Sequence, residues 1–229
     1  FNINASENNG ILVKAAAKVS ITNNNNKGFA ISGNKSNGIN NQSGTNIDVT
    51  GGYFNVNGSE SNGLYSKNGK VVTKNVNSFS IGNVTKSTGI FADTGNTSVE
   101  DEGSTFTVNG SKNNAIYANA GTTKTKNTTF NINGSTLNNG ILANAGTAVE
   151  VKNDNYTQNF TLGSGLTESN GIYINAGTLK VDKVGFLVNG AAADLDKNNA
   201  IFIKAAGGQG DITDSHFFIY GDESNGILA

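Results

Sequence analysis

Cysteine, proline, methionine, tryptophan and arginine are all absent from this chain of 229 residues. Without cysteine there is no disulfide framework, no thiolate metal site and no cysteine nucleophile. All 16 basic residues are lysine. The chain therefore lacks the planar guanidinium fork that grips phosphate and carboxylate groups bidentately. The formal net charge is only −1, so no basic field exists to hold nucleic acid or an anionic membrane surface. No stretch approaches the ~18 apolar residues of a membrane-spanning helix. No signal peptide is present, and the first residue is Phe1 rather than Met, so the chain reads as processed or as a fragment of a longer protein.

What is present in abundance is Asn, Gly, Ser and Thr. Such a composition usually belongs to disordered or low-complexity chains, because it buries too little apolar surface to offset the entropy of ordering. Order has to come from a repeat, and one is visible. The cleanest unit, FNVNGSESNGLYSKNG at residues 54–69, recurs as FTVNGSKNNAIYANAG from Phe106 and as FNINGSTLNNGILANAG from Phe130. Looser copies begin at Phe1, Phe29, Phe79, Phe160, Phe186 and Phe217. Phe1 to Phe217 takes eight steps with a mean of 27 residues, inside the range of stacked supersecondary units.

Each unit carries three short apolar pieces: F-x-[IV]-x-G, then N-G-I, then an alternating piece such as Val149 and Val151 or Leu179 and Val181. Alternation with period two means strand. The strands end at Gly or Asn, the residues that accept positive φ. No segment shows a sustained helical period. Three strands and three turns per unit predict an all-β fold, a right-handed parallel β-helix with three faces and about nine coils of 27 residues. Residues 1–229 form one such segment, with no helices of note. Extra residues fall at turns, where they cost little: Phe186 to Ile201 spans 15 residues against 10 from Phe54 to Leu64.

Side chains two apart on a strand share a face. Phe54 with Val56, Phe106 with Val108 and Phe130 with Ile132 therefore predict a Phe ladder beside an Ile/Val ladder, stacked at ~4.8 Å. The Ile of N-G-I, or Leu64, forms a third inward column. One coil cannot bury its own face, so stability is a nearest-neighbour property. Asn precedes this strand at Asn9, Asn37, Asn62, Asn114, Asn139, Asn170, Asn199 and Asn225, with Thr88 the one departure. Two readings are open: a stacked Asn ladder bonding coil to coil, or a plain Asn-Gly turn preference. After the inward Ile comes a residue expected to point outward. It reads Tyr65, Phe91, Tyr117, Leu142, Tyr173 and Phe202 through the middle and later coils, with Leu12, Asn40 and Leu228 in the outer ones. A solvent-facing strand should be polar here. The stripe either contacts a partner or serves stability through aromatic stacking.

The residues offer little catalytic chemistry. Parallel β-helices that cleave polysaccharides need close carboxylates, or acidic Ca²⁺ ligands with a basic residue beside them. The acidic residues here, Glu100–Asp101–Glu102, Asp194, Asp196 and Asp222–Glu223, are expected mostly in turns and do not recur on adjacent coils in one column. Asp194 and Asp196 read as a solvated loop rather than a cation site. GGQGD at 207–211 misses the Ca²⁺ nonapeptide spacing by one position and reads as a flexible loop. His216, the lone histidine, reads as a surface strand residue. No catalytic residue, metal site or cofactor is expected.

The F-x-[IV]-x-G and N-G-I motifs, repeated over the whole chain with this Asn/Gly/Ser/Thr-rich, Cys-free composition, resemble the passenger region of Gram-negative autotransporter adhesins of the classical monomeric type V secretion subtype. The resemblance implies export across two membranes and display at the outer surface. It also implies flanking β-helix coils and a C-terminal outer-membrane translocator barrel. The expected function is a non-enzymatic adhesin stalk meeting a host or bacterial surface protein or glycan, without nucleic acid. The alternatives are a self-assembling fibre or matrix protein, with self-association as its signature, and a β-helix carbohydrate-active enzyme.

Overall fold

Phe54 and Val56 alternate with Tyr53 and Asn55, and Tyr53–Val56 is a strand whose Phe and Val are buried while the other two are half-buried. The same holds along the chain. The computed structural model describes residues 1–15, 18–23, 27–144, 146–189, 197–204, 208–221 and 223–229. Its strands are parallel and stack as a β-solenoid, with no helix among the described residues. Among the described residues nine strands carry the Phe motif, nine carry the Asn-Gly-Ile motif and eight carry the third piece, which makes eight full turns and a two-strand ninth. The Asn-Gly-Ile strands run from Asn9–Val13 to Asn225–Leu228 and form one sheet of their own. In the later coils the third piece and the following Phe strand are not separate, as three turns per unit would require. They run together as Thr147–Leu162 and Gly177–Asn189 and tie those two faces into one sheet. A register shift between Lys152 and Thr157 marks the bend in the first of these.

Register places like on like. Phe54, Phe79, Phe106, Phe130, Phe160, Phe186 and Phe217 are successive partners. Their rings, with Phe1 and Phe29, stack at centroid distances of 4.4 to 5.3 Å and interplanar angles of 5 to 13°. Isolated ring pairs favour offset or edge-on contact; here the strand spacing sets the distance. Beside them Ile31, Val56, Ile81, Val108, Ile132, Leu162 and Val188 are fully buried. So are Ile39, Leu64, Ile90, Ile116, Ile141, Ile172 and Ile201 on the second face. The core is thus three long columns closed by each coil on the next.

The corners follow two chemistries. Between the third face and the Phe face, positive φ falls on Gly51, Asn75, Gly103 and Asn127, as expected, with Lys183 and Asp214 in later coils. Between the Phe face and the Asn-Gly-Ile face it falls on Gly only at Gly110, Gly165 and Gly221 among the described residues, and the position that recurs in every coil is neither Gly nor Asn. Glu7, Lys35, Glu60, Lys86, Lys112, Leu137, Glu168, Lys197 and Glu223 occupy that corner with φ from 43 to 61°. A left-handed non-Gly residue costs roughly 1–2 kcal/mol. Coil-to-coil bonds offset part of this: the Lys35 N–H donates to Ser59 O (2.9 Å) and the Lys112 N–H to Thr136 O (2.9 Å).

Two other expectations change. Glu100, Asp101 and Glu102 lie on the strand Thr97–Glu102, not in a turn, because they continue the alternation of Thr97 and Val99. Residues 208–211 of the GGQGD segment lie on the strand Gly208–Thr213, paired with Gly177–Asn189, not in a flexible loop. Asp194, Asp196, Gly207 and Asp222 lie outside the described residues.

Candidate functional site

The Asn-Gly-Ile face carries three parallel columns, fixed by the register of one sheet. The corner column of Glu and Lys comes first, the Asn column two residues later and the stripe three residues after that. In the Asn column the Nδ2 of one residue donates to the Oδ1 of the residue in the preceding coil. Asn37 bonds Asn9 at 2.9 Å and Asn62 bonds Asn37 at 2.9 Å. Asn139, Asn170, Asn199 and Asn225 continue the pattern upward from Asn114 at 2.9 to 3.0 Å. Thr88 lies between Asn62 and Asn114 in register and breaks the chain of amides.

A second polar ladder lies one residue earlier, which sequence reasoning missed. Ser36, Ser61, Ser87, Asn113, Asn138, Ser169 and Asn198 are completely buried. Each accepts a backbone N–H from the coil before: Ser61 N to Ser87 Oγ (3.2 Å), Ser87 N to Asn113 Oδ1 (2.7 Å), Asn113 N to Asn138 Oδ1 (2.9 Å). Each also donates to a backbone carbonyl, as Asn113 Nδ2 does to Val84 O (2.8 Å). The signal was present: every coil reads Glu, Lys or Leu, then Ser or Asn, then Asn or Thr.

The stripe points outward. Tyr65, Phe91, Tyr117, Leu142, Tyr173 and Phe202 are half-buried between buried neighbours. Their faces are largely covered by one another. Phe91 and Tyr117 stack at 4.7 Å and 9°, Tyr173 and Phe202 at 5.0 Å and 22°, while Tyr65 meets Phe91 edge-on at 5.4 Å. Within the two stacked pairs, Phe91–Tyr117 and Tyr173–Phe202, the rings therefore turn their edges outward. The Tyr65 hydroxyl donates to Asp93 Oδ2 (2.6 Å), and Asn144 Nδ2 donates to the Tyr117 hydroxyl (2.7 Å). Partial burial pushes both phenols up, reinforced at Tyr65 by the Asp93 carboxylate. Shallow grooves lie between the stripe and the corner column, one over Glu60, Asn62, Thr88 and Phe91, another over Leu142, Glu168, Tyr173 and Phe202.

The third face presents an outward charge array. Lys70 pairs with Glu100 at 2.6 Å, Lys74 with Glu102 at 3.4 Å, and Glu150 with both Lys152 (2.7 Å) and Lys124 (3.3 Å). The Lys152 hydrogen bond, with help from Lys124, holds Glu150 below the usual carboxylate range. These pairs are exposed to solvent and each is worth little.

Asp101, between Glu100 and Glu102, points into the core and is 3% exposed. The hydroxyls of Thr73 and Thr128 donate to its two oxygens at 2.5 Å each. Burial raises its pKa, against hydrogen bonds from Ser104, Thr128 and Thr73 that lower it. A raised folded pKa means stability that is complete below the unfolded value and lost as pH rises through the folded one. Asp101→Asn should therefore be more stable than the parent near neutral pH. The gap should close as pH falls to the ordinary carboxylate range, about 4. Urea unfolding across that pH range checks this, and a pH-independent difference would refute it.

His216 is half-buried on the strand His216–Tyr220, with its ring 5.7 Å from that of Phe218. Among the described residues no three His, Cys, Asp or Glu side chains converge on a metal-sized site. Comparison with protein families, with curated proteins and with solved structures found no match.

Proposed function

We propose that this chain is a non-enzymatic display segment of a secreted surface protein, the passenger region of a type V autotransporter adhesin. In this reading it sits outside a bacterial cell and mediates attachment to host or other bacterial cells. The observation that carries the reading is the uninterrupted stack. Identical positions meet in register from the first coil to the ninth, which makes a rigid rod of roughly 40 Å at the strand spacing. Such a rod carries surface features at a distance from its anchor. Its acidic groups favour a scaffold over a catalyst: Glu100 and Glu150 are paired with lysines and Asp101 is sealed in the core.

The test is direct attachment. Beads coated with the folded chain should bind epithelial or bacterial cells above beads coated with the heat-unfolded chain. Equal attachment by both, or none by either, removes the adhesive reading. Sedimentation of the same preparation should show a species of constant mass with concentration. Growth into filaments would favour the matrix-protein alternative instead.

A further inference from the structure

The break in the Asn ladder has a chemical consequence. In an intact ladder each amide is consumed by its neighbours. At Thr88 the chain of bonds stops, so Asn62 keeps an unbonded Oδ1 and Asn114 an unbonded Nδ2, with the Thr88 hydroxyl between them and no partner of its own among the described residues. Thr88 is 4% exposed and Asn114 8% exposed. None of the three atoms is sealed from solvent, and each opens on the groove above it. Acceptor, hydroxyl and donor thus stand in a row across two coil spacings, about 9–10 Å.

The walls add charge and an apolar edge. Lys86 and Lys112 stand on the corner side, and Lys86 pairs with Glu60 at 3.8 Å. Lys112 has no ion-pair partner among the described residues. The groove therefore carries one uncompensated positive charge. Phe91 and Tyr117 line the other side with ring edges.

We infer that this gap is a binding site for an acidic sugar unit of a glycan chain. Sugar hydroxyls donate and accept at once and suit the row of Asn62, Thr88 and Asn114. A carboxylate on the same unit meets the Lys112 ammonium, and the C–H edge of the ring lies against Phe91. This rests on the attachment reading and names its ligand class. An acidic peptide is the competing occupant: its backbone N–H and C=O groups also form hydrogen bonds, but each only donates or only accepts, whereas a sugar hydroxyl does both at one atom.

The ¹⁵N spectrum of the whole chain is titrated with a galacturonic acid trisaccharide, a neutral galactose trisaccharide and triglutamate. The acidic sugar should shift the Asn114 side-chain amide and the Thr88 and Lys112 backbone amides saturably, with Kd about 1 mM or tighter. The neutral sugar should bind at least tenfold more weakly, and triglutamate should leave Asn114 unmoved. Thr88→Asn completes the ladder, so it should abolish the shifts while raising the unfolding midpoint. Lys112→Gln, an exposed change that leaves the coil intact, should weaken binding about tenfold. The proposal is overturned by the absence of saturable shifts, by equal binding of triglutamate, or by undiminished affinity in either variant. If the shifts appear but coated beads do not attach, the site stands and the adhesive reading falls. Attachment without shifts locates adhesion elsewhere on the rod.

Discussion

Phe106→Ala is expected to lose about 3–5 kcal/mol of stability, the usual cost of emptying a buried aromatic site. The Phe106 ring is completely buried between Phe79 at 4.6 Å and Phe130 at 5.3 Å. Both neighbours are held by backbone register, so neither can slide in to close the cavity. The change also weakens two coil–coil interfaces at once, and in a solenoid those interfaces are the stability. Unfolding should therefore lose its single transition, the rod dividing near its middle. Phe1→Ala is the control: Phe1 sits in the same column but is 66% exposed, so its loss should cost under about 1 kcal/mol. Urea unfolding followed by far-ultraviolet circular dichroism reads both. Equal costs at the two positions would show that stacking depth does not govern stability.

The second large effect concerns the buried polar ladder. Asn113→Ala removes the oxygen that accepts the Ser87 N–H and the amide that donates to Val84 O and to Asn109 O. A buried N–H left without a partner costs about 1–3 kcal/mol, and the truncated side chain adds a small cavity. Asn113→Ser should recover most of the loss. Ser fills this column at Ser36, Ser61, Ser87 and Ser169, where its hydroxyl accepts the N–H of the preceding coil and donates to a carbonyl. The pair of variants separates the hydrogen bond from the volume. If Ser is no better than Ala, the ladder does not supply the stabilisation and packing does.

Stripe and ladder residues were both visible in the repeat, yet their roles separate only in three dimensions. The Asn column was legible as a column because Asn returns at one place in every coil except at Thr88. That its amides bond along the axis depends on the register of the sheet. The stripe was legible as outward because it alternates with buried Ile and Ala. Alternation does not reveal that Phe91 and Tyr117 cover each other's faces. The Ser/Asn ladder was not found, because Ser and Asn beside a turn look like ordinary turn formers. For Asp101 the sequence points to a turn, because three consecutive acidic residues resemble a solvated run. In the fold its neighbours point outward to lysines and it points inward to threonines.

The period, the three strands per coil and the inward columns of Phe, Ile and Val were determined by the sequence by itself. In a solenoid every coil repeats one environment, so a local pattern and the global fold carry the same information. What the tertiary structure alone decided is how polar groups are spent between coils. Whether an Asn, Ser or Asp is paired, buried or left open depends on which residue the neighbouring coil sets about 4.8 Å away. Thr88 illustrates both: its departure from the column is plain in the sequence, but the open donor and acceptor it leaves exist only because Asn62 and Asn114 are held in register on either side.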